Sequence, residues 1–170
     1  MTHVLVAVAS RRGSTAELAE WIGEALRDDD GPVTADVRDA ATVRDLDPYD
    51  AVVLGSALYG GRWCRAARRF ARRHRRALLR RPVWLFSSGP LDDSAGDGTL
   101  PAPAGVRRIG ERLAANGVVT FGGALRPGTR GRLARAIADQ RGGDFRDRDQ
   151  VRRWGRAVGA ELAAAGRSAI

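Results

Sequence analysis

Three hydroxyl side chains, two arginines and a glycine fall within six consecutive residues, Ser10-Arg11-Arg12-Gly13-Ser14-Thr15. Hydroxyls and backbone N–H groups donate to anions, and a glycine lets the backbone curl around one. Set at the start of a helix, where free N–H groups and the positive end of the macrodipole meet, such a loop can cradle a phosphate. Ser14-Thr15-Ala16-Glu17 also has the spacing of a capping box, with Ser14 as cap and Glu17 reaching back. Residue types alone leave both open.

Two further clusters carry chemistry. In Gly55-Ser56-Ala57-Leu58-Tyr59-Gly60-Gly61-Arg62-Trp63, glycines bracket one aromatic. Backbone amides can approach a flat ligand there while Tyr59 stacks on it. Trp63 falls on the apolar stripe of the following helix and reads as core. Ser87-Ser88-Gly89-Pro90-Leu91 brings small polar residues and backbone groups together, and the stretch from Asp92 to Pro103 could act as a lid. His3 begins a strand, His74 sits on an apolar helix side as a structural residue, and Cys64 reads as incidental despite its place at a helix start.

The elements that must position these clusters alternate. Val4 to Ala9 is a short apolar run, as in a central parallel strand. Leu18, Trp21, Ile22, Ala25 and Leu26 make the stripe of a first helix, which Asp28 to Pro32 ends. Val33, Ala35 and Val37 alternate with polar residues, as in an edge strand. Ala51 to Gly55 is a third strand, followed by one helix bearing Trp63, Ala66, Ala67, Phe70, Ala71, His74 and Leu78 on one face. Val83 to Phe86 is strand four. A helix with Val106, Ile109, Leu113 and Ala114 precedes strand five at Val118 to Gly122. A short helical stretch near Leu133, Ala136 and Ile137 comes before a last helix with Val151, Trp154, Val158 and Leu162 in register.

This alternation predicts one α/β domain over residues 1–170: a doubly wound five-stranded parallel sheet, order 2-1-3-4-5, with helices on both faces. Ligands of such sheets bind beyond the carboxyl ends of the strands, where the order reverses. All three clusters follow strand ends at that rim, between and beside strands one and three. Placement therefore turns Ser10 to Thr15 toward a phosphate site.

Val4 to Thr15, Asp50 to Trp63, Arg81 to Pro90 and Gly143-Asp144-Phe145-Arg146-Asp147 together resemble the flavodoxin-domain family. The likeness is closest to its branch containing menaquinone-dependent protoporphyrinogen oxidase. The resemblance implies a flavodoxin-like fold holding one FMN non-covalently. Carried onto this chain, it implies that Ser10, Arg12, Gly13, Ser14 and Thr15 hold the phosphate. Ser56, Ala57, Leu58, Tyr59, Gly60 and Gly61 would line the isoalloxazine, with Ser88, Gly89, Pro90 and Leu91 closing the other side. The flavin then carries the redox chemistry, and neither a catalytic triad nor a metal site is expected. The family's electron carriers are typically acidic, whereas this chain is basic, and its stretch from about Arg126 to Gly142 sits where the oxidase branch carries an extra segment.

Charge and composition bound the partners. All 29 basic residues are arginine against 20 acidic ones, a net charge of +9. A basic surface favours acidic proteins, anionic substrates or anionic membranes. Arginines beside the site (Arg11, Arg12, Arg62, Arg65) would attract carboxylates. The expectation is an oxidoreductase serving a quinone and an anionic substrate. The alternatives are an electron carrier or quinone reductase for a redox partner protein, and a non-catalytic module that uses the arginines of helix two on nucleic acid or a membrane. Sparse aromatic interleaving and the lack of a nucleic-acid motif disfavour nucleic acid. A phosphoacceptor receiver would need an aspartate where Leu54-Gly55-Ser56 stands, and no Gly-x-Gly-x-x-Gly for a nicotinamide follows strand one. One cysteine, no signal-like leader and no apolar stretch near the ~20 residues of a membrane span predict a cytoplasmic protein, with peripheral contact at the inner membrane face as an extension.

Overall fold

A computed structural model describes residues 1–11, 13–27, 31–89, 100–124 and 144–168. In chain order these form β1 (Thr2–Ala9), α1 (Ser14–Arg27), β2 (Val33–Asp39), β3 (Ala51–Tyr59), β4 (Arg62–Trp63), α2 (Arg65–Arg73), α3 (Arg75–Leu78), β5 (Val83–Ser88), α4 (Ala104–Leu113), β6 (Gly117–Phe121) and α5 (Arg148–Ser168). The long strands pair in parallel in the order β2-β1-β3-β5-β6. This is the expected doubly wound order, with β2 at an edge. The short β4 is an addition, antiparallel to the end of β3.

Strand periodicity divides the core between two faces. Val4, Val6 and Val8 join Val53, Trp84 and Phe86 under α1 and α5. Leu5 and Ala7 join Val52, Leu54, Val83 and Leu85 under α2, α3 and α4. Both faces of the central strands are thus covered, which is why these strands read as unbroken apolar runs. Gly55 lies opposite Phe86 in the register, and a Cβ there would fall 2.0 Å from the Phe86 ring. The ring occupies the space that a side chain would need.

Two local differences from the sequence pattern matter. The helix expected from Trp63 to Leu78 is divided at His74 (φ −96°, ψ 11°), whose ring packs against Phe70 at a centroid distance of 4.7 Å, tilted by 49°. Between β2 and β3 the chain crosses without a helix, although such crossovers usually contain one. Leu46 is buried from this connection against the sheet. Arg81 pins it by donating to the carbonyls of Leu46 and Tyr49. The helical stretch expected near Leu133 and most of the lid from Asp92 lie outside the described residues.

Candidate functional site at the strand-order reversal

The first loop closes on itself before α1 begins. The Gly13 N–H donates to Ser10 Oγ at 3.1 Å, and the Gly13 carbonyl accepts from the Glu17 N–H at 3.1 Å. Gly13 therefore holds the position before the helix, and Ser14 is its first residue. The alternative of a capping box on Ser14 is not realised, and Glu17 instead accepts from Arg146 Nη1 at 2.5 Å. Gly13 has φ +86°, a region that costs an L residue about 1–2 kcal/mol, and an added Cβ would meet nothing within 4 Å. The N–H groups of Ser14, Thr15 and Ala16 have no acceptor among the described residues. Three free donors, a helix dipole and open space above a glycine form an anion cradle.

The second loop is a hairpin. β3 runs on to Tyr59 and β4 folds back, pairing Leu58 with Trp63 and Tyr59 with Arg62. Gly60 (φ +56°) and Gly61 (φ +71°) supply the two positive φ angles of a tight turn. Ser56 is fully buried: its hydroxyl donates to the Ala57 carbonyl at 2.9 Å and accepts from the Cys64 N–H at 3.1 Å. It supports the loop from beneath. Trp63 is core, as its place on the stripe implied, and its indole N–H donates to Ser87 Oγ at 2.8 Å. The Cys64 thiol faces the Ala9 carbonyl at 3.8 Å. The ends of β1, β3 and β5 are thereby tied together below the rim. Tyr59 stands above it, 38% exposed, with the Arg11 guanidinium 5.8 Å from its ring centroid.

The third loop meets the second. Ser88 is buried, and Gly89 (φ +133°) donates its N–H to the Phe121 carbonyl at 2.9 Å. A Cβ on Gly89 would lie 3.5 Å from Leu58 Cβ. The register sets Ala9 beside Ser56 and Ser56 beside Ser87, so β1 and β5 end at about one level and β3 runs on past it to Tyr59. Ser10, Gly13, Ser14, Thr15, Ser56 to Gly61, Ser88 and Gly89 thus share one rim, while Arg12, Pro90 and Leu91 lie outside the described residues. The donor set fits a phosphate ester joined to a flat ring, with the anion at the start of α1 and the ring toward Leu58, Tyr59 and Gly89.

One residue that positions this rim carried no role in the sequence pattern. Arg146 lies just before α5, its side chain only 5% exposed. It donates to the Ser14 carbonyl at 3.0 Å, to Glu17, and through Nε and Nη2 to both carboxylate oxygens of Asp144. Its guanidinium also sits 5.0 Å from the Trp21 ring centroid. The Asp144 carboxylate, and then Glu17, hold its pKa above the ordinary arginine value against the opposing effect of burial. The bidentate arginine–carboxylate fork is rigid, so it fixes the first turn of α1 to the start of α5. The signal was available in Asp144-Phe145-Arg146, but only the fold brings that segment to Ser14.

Comparison with known proteins agrees with this geometry. Residues 5–135 match the flavodoxin domain family model. No curated protein sequence matches the chain. Among solved structures, a flavodoxin from the domain Archaea superposes with a TM-score of 0.63 at 13% identity, over 94% of this chain and 98% of that one. Flavodoxin 1 from Bacillus cereus gives 0.60 at 18% identity, over 94% and 98%. Rubredoxin oxygen:oxidoreductase from Desulfovibrio gigas gives 0.63 at 12% identity, over 96% of this chain but only 37% of that larger one. At these identities the structures establish the shared fold, and the sequence match establishes the family. The chain belongs to the flavodoxin domain family, and FMN is the cofactor that goes with this membership.

Proposed function

We propose that the chain, as one domain, holds FMN on this rim and exchanges electrons with a redox partner. The carrying observation is that the N–H groups of Ser14, Thr15 and Ala16, just after Gly13, have no acceptor among the described residues, on the rim that also carries Tyr59 and Gly89. Bound FMN supplies one- and two-electron redox chemistry. The chain's own residues bind the phosphate through α1, orient the ring against Tyr59, and keep that end of the sheet rigid through Ser56, Trp63 and Ser87.

The finer form of the proposal is an oxidoreductase similar to menaquinone-dependent protoporphyrinogen oxidase, with a quinone as electron acceptor. Exposed Arg62 and Arg65 next to the hairpin support an anionic substrate. The alternative is an electron carrier or quinone reductase for a partner protein. A cytoplasmic setting with contact at an anionic membrane face belongs to the same proposal. It is supported by the exposed arginines of α2, and no helix among the described residues is long and apolar enough to cross a membrane.

Absorbance of the purified protein and quenching of FMN fluorescence test the core claim. Flavin bands and saturable quenching are expected, and Gly13→Ala should weaken FMN binding roughly 10-fold or more while far-UV circular dichroism stays native. A colourless protein that leaves FMN fluorescence unquenched would overturn it. Turnover of protoporphyrinogen with menaquinone by the FMN-loaded protein then separates the oxidase from the carrier.

A further inference from the structure

Beside the first loop, on the face covered by α2, a cleft of about 660 Å³ opens between that helix and the connection from β2 to β3. It exists because that connection crosses the sheet without a helix to fill the layer. Five arginines line it: Arg11 from the first loop, Arg44 from the connection, and Arg65, Arg69 and Arg73 from successive turns of α2. All five are exposed, and none makes an ion pair among the described residues. The one carboxylate on the lining, Asp39, is turned onto its own chain, accepting from the Ala41 N–H at 2.8 Å.

One wall of the cleft is built by rings. His74 lines it at 8% exposure and Phe70 at 2%, the two rings packed 4.7 Å apart between centroids and tilted by 49°. Guanidinium groups without ion-pair partners converging on a pocket with an aromatic side match an organic molecule carrying concentrated negative charge.

We propose that this cleft is a binding site for a small molecule bearing a multiply charged oxyanion, either a phosphate ester or a polycarboxylate. The oxyanion is held by Arg65, Arg69 and Arg73, and the rest of the molecule lies toward the wall that His74 lines. The site is separate from the anion cradle of α1 and does not depend on the flavin reading. Arg11 belongs to both neighbourhoods, since it lines the cleft and lies over Tyr59.

Calorimetric titration at low salt tests the site, with pyrophosphate and citrate as probes, on protein with and without added FMN. Saturable one-to-one binding is expected, and the tighter probe identifies the class of oxyanion. Arg69→Gln and Arg73→Gln should each weaken binding roughly 10-fold, the effect of losing one charged hydrogen-bonding group. Arg76→Gln removes the same charge outside the cleft and should leave affinity within about 2-fold. Binding should survive in Gly13→Ala, which separates the cleft from the cradle. Saturation should also move the ring resonances of His74. Failure of both probes to saturate, equal loss in Arg76→Gln, loss in Gly13→Ala, or an unmoved His74 would each overturn the proposal.

Discussion

At His74 an imidazole is held away from water among cations. Burial is the main force lowering its pKa below 6.5, with Arg73 adding to it; the Val43 backbone and Asp45 oppose. The native state therefore takes up this proton at lower pH than the unfolded chain does. As pH falls through 6.5 the unfolded state binds the proton first, so stability is lost on acidification until the native ring is also protonated. His74→Phe keeps an aromatic ring against Phe70 and removes the titration. Urea midpoints measured at about pH 7.5 and about pH 5.5 should fall less in His74→Phe than in the unaltered protein. Equal declines would show that carboxylates alone set the acid limb. Pyrophosphate in the adjoining cleft should favour the protonated ring and reduce the same decline.

Among elements, α1 depends on a residue more than a hundred positions away. Arg146 is gripped by Asp144 and Glu17 and in turn holds the Ser14 carbonyl. Arg146→Leu would keep much of the packing on Trp21 but leave both carboxylates without this partner. Those carboxylates are partly exposed, so the expected loss is about 1–3 kcal/mol, short of that for a fully buried pair. Chemical denaturation should show it, together with weaker FMN quenching because the first turn of α1 is no longer clamped. Arg146→Lys should recover little, since a single ammonium cannot form the fork. Unchanged stability would remove Arg146 as a support of the rim.

The same scale shows what the residue pattern could and could not reveal. Strands buried on both faces announce themselves as apolar runs, and their ends marked Ser10, Tyr59 and Ser88 as neighbours. Gly60 and Gly61 read only as a place where backbone amides approach a flat ligand; the hairpin they close went unread because β4 is only two residues long and offers no periodicity of its own. Whether Ser14 caps α1 or is its first residue was ambiguous because the choice depends on φ at Gly13, which a sequence does not display. The clamp by Arg146 and the cleft below α2 arise from long-range packing and a missing crossover helix. No local spacing encodes either.

Over the whole molecule, charge is the least compensated quantity. The net charge of +9 and a pI near 11.3 keep the chain cationic across the physiological range. Residues 62–81 contain ten arginines and no acid. Within α2, the i,i+4 pairs Arg65/Arg69, Arg68/Arg72 and Arg69/Arg73 should each cost about 0.2–0.5 kcal/mol, and Arg65 also sits unfavourably in the helix's first turn. Added salt should therefore stabilise this fold. Screening shortens from about 30 Å at 0.01 M to about 10 Å at 0.1 M, which removes repulsion between arginines on neighbouring elements. It also weakens exposed pairs such as Arg148 with Glu24, but those contribute little. The buried Arg146 cluster is screened much less. Repulsion is the larger effect, so Tm should climb by a few degrees between 0.01 M and 0.1 M sodium chloride. Arg69→Glu, which turns two of the three repulsive i,i+4 pairs of α2 into attractive ones, should raise Tm at low salt and flatten the salt dependence while abolishing pyrophosphate binding. A Tm that stays flat or falls with salt would mean that the arginines are already neutralised within the fold.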